Sequence, residues 1–124
     1  MAEPAPIEFY FDFISPFGFF GSHLIEPVAA KHGRRLDWRP MLLGISVMKV
    51  MGLPPVPQTP LKGPYSGHDS RRFARMLGLP FERAGLDAMG PLPAGRAFAW
   101  LKDRDDDVAV AFAKAVMDLS LIHI

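Results

Sequence analysis

Cysteine is absent from this 124-residue chain. That removes disulfides, thiolate metal ligation and cysteine-based redox or nucleophilic chemistry from its repertoire. An excess of charge is also lacking: fourteen basic and thirteen acidic side chains leave a net of +1, which provides no footprint for nucleic acid or an anionic membrane surface. No apolar run reaches the roughly 18 residues of a membrane-spanning helix, and the start, Met1-Ala-Glu-Pro-Ala-Pro6, lacks the basic region of a secretory signal. A cytoplasmic location is therefore expected. The four histidines stand at no metal-ligand spacing, and none is placed to serve a serine as base. Abundance lies instead in the residues that punctuate the backbone. Prolines number 13 and glycines 11, well above the roughly 12% of ordinary usage for the pair. With 49% hydrophobic and 22% charged residues the composition is that of one folded domain.

Ile7, Phe9, Phe11 and Phe13 alternate with Glu8, Tyr10 and Asp12, a period of two that predicts a first strand over Ile7–Phe13. Ser15-Pro16 follows, a hydroxyl that accepts from free helix amides and a ring that pre-sets the first helical φ. Phe20, Leu24 and Val28 continue that helix, Gly33 ends it, and Pro27 predicts a kink by releasing the carbonyl of His23. Strand-like alternation over 36–43 completes a strand-helix-strand unit, whose crossover makes the strands parallel. Beyond Gly44 the pattern becomes helical. A short helix is predicted around Ile45–Met51. A stiff, extended loop follows over 52–64, with prolines at 54, 55, 57, 60 and 64. A helix should open on the capping pattern Ser66-Gly-His-Asp69. Another is expected over 94–103, and a last one after Asp105-Asp-Asp107, whose acids suit a helix start.

Ser15 is the leading candidate for chemistry, because an anion or thiolate at a helix N-terminus is stabilised by the amides, the dipole and the hydroxyl together. Its spacing is equally that of a plain helix cap. Lys62 sits in a proline-stiffened segment, where a cation suits a carboxylate ligand but also reads as a solvated lysine. Asp69 and Arg72 stand one turn apart and are expected to pair, and Tyr65 is expected to anchor its helix on the core.

As an ordered set, Glu8-Phe-Tyr-Phe-Asp-Phe-Ile-Ser-Pro-Phe17, Trp38-Arg-Pro-Met-Leu-Leu-Gly44, Pro60-x-Lys62-x-x-Tyr65-x-x-x-Asp69-x-x-Arg72 and Gly78-Leu-Pro80 resemble the 2-hydroxychromene-2-carboxylate isomerase family. That family is related to kappa-class glutathione transferases and to the DsbA-like branch of the thioredoxin superfamily, and the likeness spans roughly residues 7–118. It implies an α/β, thioredoxin-like fold. Residues 1–43 would be its β-α-β start, residues 44–118 a helical insertion domain, and the C-terminal hairpin and helix would lie outside this chain. Residues 119–124, Leu-Ser-Leu-Ile-His-Ile, match the translation of a transposase adapter used in sequencing libraries, so the natural sequence is expected to end near Asp118. The resemblance also implies glutathione as cofactor, with Ser15 beside its sulfur as the catalytic group. Pro16 and Phe17 would complete the ligand-facing turn, and Lys62 would meet a carboxylate. Leu53 stands where the transferases tend to carry a glutathione-binding Asn. The implied reaction is thiol-assisted isomerisation of a small aromatic carboxylate, with a kappa-like transferase or a noncatalytic binding module of the same fold as alternatives. A homodimer is the assembly expected of the full-length protein.

Overall fold

A computed structural model describes residues 2–82 and 90–121. Two parallel strands form the sheet, β1 (Ile7–Phe11) and β2 (Leu36–Pro40), in register from Ile7 opposite Leu36 to Phe11 opposite Pro40. They are joined by α1 (Pro16–Lys31). Among the described residues three further α-helices follow: α2 (Lys62–Leu77), α3 (Leu92–Lys102) and α4 (Asp106–Leu121). Between β2 and α2 lie a π-helical segment, Gly44–Val50, and a short 3-10 turn, Val56–Gln58.

Capping chemistry sets the limits of α1. The Ser15 hydroxyl oxygen accepts from the Gly18 amide at 3.1 Å, Pro16 follows it, and Gly33 at φ 60° closes the far end. There the amides of Arg34 and Gly33 return to the carbonyls of Ala29 and Ala30, the paired bonds of a glycine-terminated helix. Pro27 is accommodated inside α1, which continues to Lys31.

Aromatic packing builds the core. Trp38 is fully buried and meets Phe9 and Phe11 edge-on, with ring centres 4.9 and 5.5 Å apart. Phe11 also takes Phe13 and Phe98 edge-on, and Ala109, Ala113 and Met117 of α4 close the same cluster. Such edge-to-face pairs add about 0.5–1.5 kcal/mol each beyond the area they bury. Sheet and helices thus share one core.

Four local expectations are corrected. β1 ends at Phe11 rather than Phe13, because the chain turns there into the cap of α1, and Asp12 beside that turn is 2% exposed. β2 stops at Pro40 rather than 43, since the Leu42 carbonyl is taken by the amides of Ile45 and Ser46 at the start of the π-helical segment. The 52–64 segment is not wholly extended, because it contains the 3-10 turn and the first residues of α2. Finally, α2 starts at Lys62, four residues before the apparent capping box. The Ser66 hydroxyl donates to the Gly63 carbonyl at 2.8 Å within the helix instead of capping it. The start is set by Leu61, whose φ of 62° and ψ of −53° form a γ-turn closed by the Lys62 amide on the Pro60 carbonyl at 2.6 Å.

α4 continues to Leu121, and residues 122–124 of the expected adapter-derived tail lie outside the described residues. Among the described residues no helix is long and apolar enough to cross a membrane.

Candidate active site

Ser15 opens into a cavity of about 310 Å³ at the N-terminal end of α1. One wall is the turn itself, Ile14 to Phe17; another is Leu43, Val47 and Met48; the third is Pro55, Val56, Pro57 and Ser66. No ionisable side chain is among these lining residues. An anion held there would draw its stabilisation from the helix end and from hydroxyls, and the apolar walls would strengthen each such contact by excluding water.

Capping leaves Ser15 capacity for a ligand. A hydroxyl has one donor and two acceptor sites, and the Gly18 amide uses a single acceptor site. Among the described residues no bond uses the Ser15 hydroxyl as donor. Pro16 has no N–H, the Phe19 amide is taken by the Ser15 carbonyl at 3.0 Å, and the Phe17 amide has no partner among the described residues. The Ser15 O–H and the Phe17 N–H are therefore the free donors of the first turn. Cap and ligand-facing group are compatible roles for one side chain.

Of the predicted site residues, the structure brings Ser15, Pro16 and Phe17 together in the cavity wall. Lys62 and Leu53 are not among the lining residues. Lys62 is exposed at the first position of α2, one turn before Ser66, and Leu53 is 48% exposed two residues before Pro55. Ser66 lines the cavity, although its capping-box spacing predicts a helix start. Tyr65 is 58% exposed rather than an anchor; its hydroxyl accepts from Arg72, which also pairs with Asp69 at 2.5 Å. That contact holds the Arg72 guanidinium above its ordinary range, chiefly through the Asp69 carboxylate.

A second charged group lies outside the cavity. Asp37 on β2 accepts from Lys102 of α3 and, at 2.8 Å, from Arg39, and Lys102 also donates to the Trp38 carbonyl at 2.6 Å. The Lys102 bond, followed by that of Arg39, holds the Asp37 carboxyl below its usual range. Among the described residues no cluster of three or more His, Cys, Asp or Glu could hold a metal ion.

A β-α-β unit with a helix N-terminus aimed into an apolar cavity and helices packed on the same core is the thioredoxin-like arrangement. The model of the DSBA-like thioredoxin domain matches residues 6–121, and the chain belongs to that family. Among solved structures it is similar to one of selenomethionyl 2-hydroxychromene-2-carboxylate isomerase, with a TM-score of 0.70 and 19% identity. The match covers 93% of this chain and 55% of that one, so the chain spans little more than half the length of that neighbour. The likeness confirms the expected α/β fold with its parallel β-α-β start and mostly helical remainder. No curated protein sequence matches the chain.

Proposed function

We propose that the protein is a glutathione-dependent isomerase of 2-hydroxychromene-2-carboxylate-type aromatic intermediates. The observation that carries this is Ser15, a helix cap with an uncommitted hydroxyl donor opening into an apolar cavity. A thiol bound there would supply a nucleophilic sulfur for reversible addition to an unsaturated carbon. The chain's own part is to favour the thiolate. The Ser15 O–H and Phe17 N–H would donate to it, the α1 dipole would favour its charge, and neither residue would attack carbon. Leu43, Val47, Met48 and Val56 would take the flat aromatic body of the substrate, and they exclude water from the reacting end. Lys62, on the turn of α2 before Ser66, would meet a carboxylate of the thiol or the substrate. The neighbour whose structure bears that isomerase's name supports the substrate class, and the absence of cysteine sets this chemistry apart from disulfide exchange.

Titration calorimetry with glutathione tests the site. Ser15→Ala removes both cap and donor, whereas Ser15→Asp keeps a strong cap but sets a carboxylate against the sulfur. Both variants should bind at least tenfold more weakly than the wild type, and only the alanine should lose stability, by about 1 kcal/mol. Unchanged binding by Ser15→Asp would remove Ser15 from the thiol site. Turnover of a chromene carboxylate, followed by its absorbance, decides between isomerase and transferase.

A further inference from the structure

Asp12 is a buried side chain that the proposed chemistry does not use, and among the described residues every hydrogen bond it receives comes from the cavity wall. Its Oδ1 accepts from the Ile14 amide at 3.2 Å, its Oδ2 from the Leu43 amide at 2.8 Å, and its backbone carbonyl from the Ser15 amide at 3.0 Å. Ile14, Ser15 and Leu43 all line the cavity, whereas Asp12 does not.

The ends of the two strands explain the arrangement. The Met41 amide still reaches β1, donating to the Phe11 carbonyl at 2.8 Å. Leu43, two residues on, has helical φ −58° and ψ −36° at the start of the π-helical segment, and the first amides of a helix have no carbonyl within it to pair with. Oδ2 of Asp12 accepts from that Leu43 amide, while Oδ1 holds the turn that carries Ser15. A buried amide left unpaired is costly.

We propose that Asp12 is a positioning residue for the Ser15 site: by clamping the Ser15 turn and the Leu43 wall to a single carboxylate, it sets the width of the cavity and the aim of the Ser15 hydroxyl. This rests on the reading of Ser15 as the ligand-facing group, and its test separates the two. Asp12→Asn keeps the shape of the side chain but turns one acceptor into a donor, so one of the two amides must go unpaired. Asp12→Ser supplies a smaller acceptor and serves where the asparagine variant fails to fold. Ala109→Gly, in the core on α4, is the control for lost stability alone.

In the full chain, Asp12→Asn should speed hydrogen exchange of the Ile14 or Leu43 amide at least tenfold and weaken glutathione binding at least tenfold. Ala109→Gly, compared at a similar fall in denaturation midpoint, should leave binding within twofold. Binding by Asp12→Asn within twofold of the wild type, or equal effects of the two variants, would overturn the proposal. If the wild type binds no glutathione, the proposed function fails instead. Asp12 is then decided by the exchange rates and by anilinonaphthalene sulfonate as a cavity probe: faster exchange with weakened dye binding upholds the clamp, and no change in either refutes it.

Discussion

Gly63 and Gly67 both lie on α2, one turn apart, and the same substitution should move stability in opposite directions at the two positions. A Cβ added at Gly67 would meet only the end of the Arg71 side chain at 3.9 Å, an ordinary contact with a flexible group. Gly67→Ala should therefore realise the usual gain for an interior helix position, about 0.8–1 kcal/mol. At Gly63 the new carbon would lie 2.4 Å from the Pro57 carbonyl oxygen and 3.1 Å from that of Val56, both backbone atoms. Relief requires the 3-10 turn to move away from α2 by about 1 Å, the distance back to ordinary contact. Overpacking of this kind costs about 1–3 kcal/mol, and the first-turn position recovers only part of the helix gain. The net loss is about 1–2 kcal/mol. Urea denaturation should place the Gly63→Ala midpoint below the wild type and Gly67→Ala above it, the two separated by about 2–3 kcal/mol. Equal midpoints for the two variants would refute the close approach of the turn to the helix. Because Val56 and Pro57 are also cavity wall, Gly63→Ala should weaken dye binding in the cavity as well.

Acid should expose the Asp37 pair. The folded-state pKa of that carboxyl is depressed, so its contribution is complete above the ordinary carboxylate range of about 4 and is lost as pH falls through the lower folded value. Lys102→Met should flatten the decline of stability below about pH 4 while leaving Arg39 paired; an unchanged slope in acid denaturation would count against the pair. Leu61 carries its positive φ without being glycine, a strain of about 1–3 kcal/mol. Leu61→Gly should release it and raise the melting midpoint by a few degrees despite the flexibility it adds to the unfolded chain. A lower midpoint would show that the turn is relaxed with leucine.

The parts of the fold legible in the sequence are those coded within a few neighbouring residues. The alternation Ile7 to Phe11 yields β1, and Ser15-Pro16 caps α1. Glycines end α1 and α2 in the left-handed conformation, Gly33 at φ 60° and Gly78 at 66°. The Asp69–Arg72 pair follows from helical spacing alone. A local signal misleads where a neighbour outweighs it. Ser66 looked like a cap, yet the γ-turn at Leu61 had already started the helix, and within a helix a serine hydroxyl turns to the carbonyl three residues back. Asp12 continues the alternation of Ile7–Phe13, yet the strand ends at Phe11.

What the sequence by itself determined is the β-α-β start, the Ser15 cap and the exclusion of cysteine chemistry, because strand alternation, capping and composition act over a few residues or none. Tertiary structure alone decided that Ser15 faces a cavity, that Ser66 and Pro55–Pro57 complete it while Lys62 and Leu53 stand outside its lining, and that Asp12 is buried. Each of these depends on segments distant along the chain meeting, as the carboxylate of Asp12 meets an amide 31 residues later. Such meetings are set by how β1, α1 and α2 pack on one aromatic core, and no local spacing encodes that packing.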